Sequence, residues 1–168
     1  MSVELIHPWT GQIGYTYAYV GEAEVERILH AAAGAASSWA ERSLDQRSVL
    51  LRAVAARLRV RKDDIAATMS ADMGKLRREA LAEIEKSASA CEYYADHAID
   101  YLRDGMIATE AHRSYVTYEP LGCVFAVMPW NFPIWQVFRF LAPALMAGNV
   151  AVLKHATNVP SCADAITD

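Results

Sequence analysis

Residues 123–154 decide the fold class and read CVFAVMPWNFPIWQVFRFLAPALMAGNVAVLK. The short apolar run 123–128 predicts a strand that is buried on both faces. Residues 134–147 have the length and apolar spacing of a helix, and 150–153 predict a second buried strand that ends at Lys154. A strand, a helix and a strand in this order indicate a parallel βαβ unit, so we expect an α/β protein.

The first hundred residues predict helices. Apolar residues recur at helical spacing over 25–39, and the sequence SLDQ at 43–46 has the capping-box form that begins a second helix. A third helix is expected over 63–73, where Gly74 ends it, and a fourth over Arg77–Leu102.

Residues 107–119 carry β-branched and aromatic side chains around a polar turn near 111–113, which predicts a β-hairpin. Pro160 suits the first turn of a last helix over 161–168. Parallel strands that are apolar on both faces need further strands beside them, so we expect the chain to be a truncated part of a larger fold.

The composition excludes several classes of protein. The chain has 168 residues, of which 54% are hydrophobic and 21% charged, and this favours a folded domain over disorder. Its net charge is −4 and its basic residues are interleaved with acidic ones, so we expect no nucleic-acid partner. Prolines, Gly148 and Asn149 interrupt the apolar region 120–153, which argues against a membrane span.

Cysteine and histidine spacing gives no indication of a metal site. Cys91, Cys123 and Cys162 are far apart and form no CxxC pair, so we expect neither a disulfide framework nor a zinc site and favour a cytoplasmic location. His155 has no second ligand at a suitable spacing, and we expect no bound metal. Residues 1–10 lack the basic start and apolar run of a secretory signal.

Two segments follow the two predicted strands and carry the polar groups of a candidate site. In MPWNFP at 128–133, prolines and aromatic residues restrict the turn and leave Asn131 as its flexible hydrogen-bonding side chain. A fixed amide N–H can stabilise an oxyanion, but an Asx turn that satisfies its own backbone explains the same residue. Lys154 can bind a ribose or a phosphate, or it can simply reach solvent. The residues alone leave both alternatives open.

Several motifs together resemble a known family. They are EPLG at 119–122, MPWNFP at 128–133, LAPAL at 141–145 with Gly148-Asn149, and VLK at 152–154. In this order and spacing they are similar to the start of the cofactor-binding domain of the aldehyde dehydrogenase superfamily, and DMGK at 72–75 resembles its N-terminal region. The sequences LKHA at 153–156 and WQV at 135–137 most resemble the bacterial succinate-semialdehyde dehydrogenases.

The resemblance implies a fold and a division of the chain. We expect a truncated aldehyde dehydrogenase fold with N-terminal helices, a β-hairpin arm and the first βαβ unit of a Rossmann-like parallel sheet. In this scheme residues 1–106 are the helical part of the cofactor-binding domain, 107–119 the oligomerisation arm and 120–168 the start of the NAD(P)-binding sheet. The resemblance also implies a homo-oligomer that associates through the arm.

The resemblance implies NAD(P)-dependent oxidation of a small-molecule aldehyde, expected to be succinate semialdehyde, to its carboxylic acid. In such enzymes a cysteine thiolate attacks the aldehyde, an amide side chain holds the oxyanion, a hydride passes to the nicotinamide, and a glutamate activates water. Asn131 matches the amide, and Lys154 matches the lysine that binds the adenosine ribose or its 2′-phosphate. Met128, Pro129 and Trp130 match positions that line the cofactor cleft.

Thr157 stands where NAD-preferring members carry a glutamate that accepts hydrogen bonds from the ribose 2′-hydroxyl. A neutral side chain removes the repulsion that a carboxylate would exert on a 2′-phosphate. We therefore expect NAD or NADP as the cofactor, with NADP tolerated.

The nucleophilic cysteine and the general-base glutamate of the family are expected beyond Asp168, so the isolated chain is predicted to be inactive. Cys123 is expected to be inert in a buried strand, and Cys91 lies on a helix face. Cys162 is the one conceivable substitute, because the dipole of a helix can lower the pKa of a thiol in its first turn. The alternative function is a catalytically inactive chain that serves only as an interaction or oligomerisation module.

Overall fold

The computed structural model describes residues 2–167. Its strands are β1 (Ser2–Ile6), β2 (Ile13–Ala18), β3 (Gly105–Met106), β4 (Tyr115–Val116), β5 (Cys123–Val127) and β6 (Val150–Lys154). Its helices are α1 (Glu22–Ala40), α2 (Leu44–Val60), α3 (Lys62–Met73), α4 (Arg77–Leu102), α5 (Trp135–Met146) and α6 (Pro160–Thr167). Within this range the strands form three separate two-stranded sheets. None of the helices in this range is long and apolar enough to cross a membrane.

The predicted helices α1 to α4 are confirmed. The Ser43 hydroxyl accepts from the amide of Gln46, and the Gln46 side chain accepts from the amide of Ser43, as a capping box requires. α3 ends at Gly74, which adopts the left-handed conformation with φ 74°. Caps and apolar spacing are local signals, and they were sufficient to place these helices.

The N-terminal residues form a hairpin that the sequence prediction missed. β1 pairs with β2 in antiparallel orientation, with Val3 opposite Tyr17 and Leu5 opposite Tyr15. Leu5 is buried at 9% exposure. The prediction of helices for the whole first hundred residues was wrong here, because the hairpin is stabilised by contacts between strands and not by a helical repeat.

The second predicted hairpin is present in a shorter form. β3 pairs with β4 through two residues on each side, and the amide of Ile107 donates to the carbonyl of Ser114 at 2.9 Å. The first strand therefore begins at Gly105, before the predicted range of 107–119. The last helix begins at Pro160 as expected, and its predicted end at Asp168 lies outside the described residues.

The βαβ unit is confirmed, but the predicted burial of its two strands is wrong: β5 is mostly exposed, and β6 is half-buried with Lys154 exposed. β5 and β6 pair in parallel, with Cys123 opposite Val150 and Val127 opposite Lys154. Phe125 is 64% exposed and Val127 62% exposed. Within residues 2–167, β5 pairs only with β6, along one of its edges. The face of β5 that carries Phe125 and Val127 is covered only in part by α1.

One hydrophobic core joins the N-terminal helices to the βαβ unit. α4 packs against α2, α3 and α5, and the core contains Leu51, Ile65, Ile84 and Phe138 from these helices. Cys162 of α6 belongs to the same core. Because α4 packs against α5, it supports the turn between β5 and α5. This packing positions the candidate site.

Candidate active site

The two predicted site segments begin side by side at the carboxyl ends of β5 and β6. The amide of Met128 donates to the carbonyl of Lys154 at 3.1 Å. Beyond these residues the chain continues as the proline turn, residues 129–134, and as the β6–α6 loop, residues 155–159. Open α/β sheets bind their ligands at the carboxyl ends of parallel strands, so both segments lie where a ligand is expected.

A buried ion pair holds the proline turn in place. The side chains of Lys75 and Glu83 form this pair and are only 7% and 2% exposed. Lys75 Nζ also donates to the carbonyl of Asn131 at 3.0 Å. Glu83 Oε1 accepts from the amides of Ile134 and Trp135, both at 2.9 Å. Each charge has a partner of opposite sign and further hydrogen bonds, which is the condition under which a buried pair is tolerated.

The main chain of Asn131 is held, whereas its side chain is exposed. Within residues 2–167 the side-chain amide of Asn131 makes no hydrogen bond, so the bond that defines an Asx turn is missing. Lys75 holds the carbonyl of Asn131 itself and Glu83 holds the amides that follow the turn. The main chain that carries Asn131 is thus fixed, and its exposed side-chain amide is available to donate to a ligand.

A pocket of about 520 Å³ opens between the proline turn and α4. Its lining includes Asn131, Phe132, Trp135 and Lys86. The Lys86 ammonium lies over the ring of Trp135, 4.2 Å from its centroid. Aromatic walls with an ammonium group and an exposed amide suit a small organic molecule with a polar or anionic end.

The β6–α6 loop is attached to the proline turn through His155. Its Nδ1 accepts the amide N–H of Ala156 at 2.8 Å, so its Nε2 carries the hydrogen and donates to the carbonyl of Pro133 at 2.8 Å. Burial lowers the pKa of His155, and the charge of Lys154 lowers it further. His155, which sequence reasoning considered only as a metal ligand, therefore connects the two site segments as a neutral ring.

Lys154 and Thr157, which are predicted to bind the coenzyme, are both exposed. Lys154 borders a groove of about 400 Å³ between α1 and the β5–β6 sheet. Residues 154–163 contain no carboxylate, and the next acidic side chain, Asp164, accepts a hydrogen bond from Tyr15 at 2.6 Å. An ammonium group and a hydroxyl without an opposing carboxylate are the donors that a ribose or its phosphate requires.

Asn131 and Lys154 line different pockets of this chain. The structure joins the beginnings of the two segments through Met128 and Lys154, but it does not bring the two side chains into one pocket. Met128 is half-buried, and Pro129 and Trp130 are exposed beside it. A cofactor cleft shared by these residues stays a prediction.

The cysteines are not arranged as nucleophiles of this site. Cys162 is buried, and burial together with the charge of Asp72 raises its pKa, so it does not fit the role of a substitute nucleophile. Burial raises the pKa of Cys91 to about 12. Cys123 is exposed, so the expectation of a buried thiol was also wrong, and it lies at the opposite end of β5 from the site. Within residues 2–167 no group of three or more His, Cys, Asp or Glu side chains could hold a metal ion.

Sequence reasoning missed the role of Glu83. The DMGK motif drew attention to Lys75, but it assigned no role to that residue. Glu83 lies on the same face of α4 as Ala80, Ile84 and Ser87, all of which are buried. A carboxylate on the apolar face of a predicted helix is the signal that could have identified it, because such a group needs a buried partner.

Comparison with known proteins assigns the chain to a family. A model of the aldehyde dehydrogenase family matches residues 1–168, and the chain belongs to that family. A probable NADP(+) succinate-semialdehyde dehydrogenase from Synechocystis is 48% identical over 168 residues, which are 100% of this chain and 37% of that protein. The NAD(P)+ succinate semialdehyde dehydrogenase Sad of Escherichia coli is 38% identical over 96% of this chain and 35% of its own length.

The fold agrees with solved structures of longer proteins. Succinic semialdehyde dehydrogenase from Streptococcus pyogenes, solved with NADP+ as the cofactor, superposes with a TM-score of 0.92 at 34% identity, over 96% of this chain and 36% of that one. The succinate-semialdehyde dehydrogenase of Burkholderia pseudomallei gives a TM-score of 0.92 at 31% identity and 35% of its length. The chain thus has the fold of the N-terminal part of an aldehyde dehydrogenase and spans little more than a third of the relatives it matches.

Proposed function

We propose that this chain is the N-terminal part of an enzyme that oxidises succinate semialdehyde to succinate with NADP or NAD. The observation that carries the proposal is the buried ion pair of Lys75 and Glu83, which holds the main chain of the proline turn and leaves the amide of Asn131 exposed. Burying two charges costs desolvation free energy. That cost is expected where a turn must hold one functional group, here the amide of Asn131, at a defined position.

Asn131 is the catalytic residue of this proposal. Its side-chain N–H donates to the aldehyde oxygen as that oxygen gains negative charge, and an oxyanion donor lowers a barrier by about 3 kcal/mol. The pocket between the proline turn and α4 receives the aldehyde. The names of the Synechocystis and Escherichia coli relatives support succinate semialdehyde as the substrate.

Lys154 and Thr157 hold the adenosine ribose and its 2′-substituent, and Met128, Pro129 and Trp130 line the cleft beside them. The nicotinamide coenzyme supplies the hydride acceptor when it is bound. The neutral side chain of Thr157 admits a 2′-phosphate, and the NADP+ in the Streptococcus pyogenes structure supports this choice. A strong preference for NAD would contradict it.

The nucleophilic cysteine and the general-base glutamate belong, in this proposal, to a part of the enzyme that this chain does not contain. The burial of Cys91 and Cys162 and the position of Cys123 support that view. The isolated chain should therefore give no aldehyde-dependent rise in NADPH or NADH absorbance. Turnover of an aldehyde by the isolated chain would contradict the proposal.

The role of Asn131 can be tested in a fusion of this chain with the remaining part of the Synechocystis relative. We expect Asn131→Ala to lower kcat for succinate semialdehyde by about a hundredfold or more, with the coenzyme KM almost unchanged. Gln12→Ala, which removes an exposed amide in the β1–β2 turn, is the control and should leave kcat unchanged. An Asn131→Ala fusion with full kcat would exclude Asn131 as the oxyanion donor.

A second candidate function is that of an interaction module, and the exposed apolar surface of the β3–β4 arm favours it. Met106 is 67% exposed, Ile107 51% and Tyr118 58%. In this proposal the arm joins copies of the protein into a homo-oligomer. We also propose that the protein is cytoplasmic. Size-exclusion chromatography tests it, since a monomer that stays monomeric at high concentration would contradict association through the arm.

A further inference from the structure

The N-terminal hairpin places two tyrosine hydroxyls against the segment that follows β6. Tyr15 and Tyr17 are two residues apart on β2 and therefore share one face of the strand. The Tyr15 hydroxyl donates to Asp164 of α6 at 2.6 Å, and the Tyr17 hydroxyl donates to the carbonyl of Thr157 at 2.8 Å. The hairpin thus contacts both the β6–α6 loop and the helix behind it.

The ring of Tyr17 is held by neighbouring side chains as well as by this hydrogen bond. It is half-buried and lies between two other tyrosines, with centroid separations of 6.3 Å to Tyr15 and 5.9 Å to Tyr19. Burial raises the pKa of Tyr17, which keeps its hydroxyl protonated and available as a donor. The bond to Thr157 therefore restricts few side-chain conformations that the neighbouring rings have not already restricted.

The Tyr17 bond acts in the middle of the β6–α6 loop, in a turn that is also closed by the amide of Val159, which donates to the carbonyl of Ala156 at 3.3 Å. His155 ties the start of the loop to Pro133, and Val159 is buried at its end. Thr157 and Asn158 form an exposed turn between these two attachments. A bond to the carbonyl of Thr157 holds the peptide plane between Thr157 and Asn158.

We propose that Tyr17 is a positioning residue for coenzyme selection. It holds the main chain of Thr157 so that the hydroxyl of Thr157 and the ammonium of Lys154 face the ribose 2′-position of a dinucleotide; this rests on the role proposed above for Thr157 and Lys154. The hairpin that carries Tyr17 is 140 residues away in sequence from the loop that it orients.

Tyr17→Phe tests the proposal, because it removes the hydroxyl and keeps the ring. Hydrogen–deuterium exchange of residues 155–159 in the 168-residue chain should become about two- to tenfold faster. This change in rate corresponds to the loss of one hydrogen bond of ordinary strength. Calorimetric titration of the fusion with the remaining part of the Synechocystis relative should show a loss of affinity for NADP+ that exceeds the loss for NAD+ by at least about twofold. Tyr15→Phe, which removes only the bond to Asp164, is the matched control and should leave the ratio of the two dissociation constants unchanged.

The two measurements separate the failure of this inference from that of the proposed function. Unchanged exchange over 155–159, or an unchanged ratio of dissociation constants in Tyr17→Phe, would overturn the role of Tyr17 while leaving coenzyme binding intact. An equal effect of Tyr15→Phe on the ratio of the two dissociation constants would also overturn the role of Tyr17, since the hairpin as a whole would then stabilise the loop. A wild-type fusion that binds neither coenzyme would overturn the proposed function and the coenzyme role of Tyr17 with it, and exchange would still decide whether Tyr17 holds the loop.

Discussion

At the scale of single residues, the candidate site depends on two paired side chains that also bind the main chain of the proline turn. Glu83 accepts two amide hydrogens at the beginning of α5, and Lys75 binds one carbonyl of the proline turn. Neither group can be neutralised without a penalty, because each is buried and paired with the other. The orientation of Asn131 is thus tied to the stability of the core beneath it.

Glu83→Gln is expected to lower the free energy of unfolding by about 3–5 kcal/mol, because it leaves the ammonium of Lys75 buried without a charged partner. Urea unfolding of the 168-residue chain measures this loss. Glu85→Gln is the control on the same helix, since Glu85 is 54% exposed in its pair with Arg59, and it should cost no more than about 1 kcal/mol. Equal losses in the two variants would show that the Lys75–Glu83 pair is not desolvated.

At the scale of elements, sequence reasoning succeeded where the signal is local. The capping box at Ser43 and the left-handed Gly74 mark helix ends within a few residues, and the apolar runs mark β5 and β6. Asn131 and Lys154 could be selected because the end of an apolar run is visible in the sequence. The β1–β2 hairpin carries a weaker signal, since alternation over five or six residues competes with a general expectation of helix.

The supports of the site could not be predicted in the same way, because their partners are distant in the chain. Glu83 lies 51 residues from Ile134, and Tyr17 lies 140 residues from Thr157. Only the packing of α4 against α5 and of the hairpin against α6 brings these groups together. The exposure of β5 was mispredicted for a related reason, since an apolar strand does not reveal which of its faces this chain covers.

The connection between the proline turn and the β6–α6 loop should make stability depend on pH. Burial lowers the pKa of His155 from its ordinary value of 6.5, Lys154 lowers it further, and the bond to Pro133 and the charge of Asp72 oppose this. The folded state therefore favours the neutral ring, whose contribution is complete above the ordinary pKa and is lost as the pH falls through the folded-state pKa.

We expect the free energy of unfolding to fall as the pH is lowered through the ordinary histidine pKa of 6.5, and His155→Gln to reduce that slope. Gln can still donate to the carbonyl of Pro133 but does not titrate. Urea unfolding at a series of pH values measures the slope, and His97→Gln, which changes an exposed histidine of α4, is the control. A slope that is the same in wild type and His155→Gln would show that His155 binds protons equally well in both states.

At the scale of the whole molecule, the described residues form a core that does not cover all of its own sheet. Phe125 and Val127 project from β5 on a face that α1 covers only in part. The chain spans 37% of the Synechocystis relative, and its fold matches the corresponding part of longer proteins closely. An uncovered apolar face next to an unpaired strand edge favours association with another surface.

The double variant Phe125→Ser/Val127→Ser should therefore bind less of the hydrophobic dye ANS than the wild-type chain, by about half or more, and should associate less in sedimentation experiments. Both side chains are more than 60% exposed, so the substitutions remove little buried area and should leave the helical circular dichroism unchanged. The control is Val49→Ser/Val60→Ser on α2, where the valines are 65% and 77% exposed but lie on a different surface. Equal dye binding by the wild type and the β5 variant, with a decrease in the α2 variant, would show that the dye-binding apolar surface lies on α2. That result would contradict its assignment to the β5–β6 sheet.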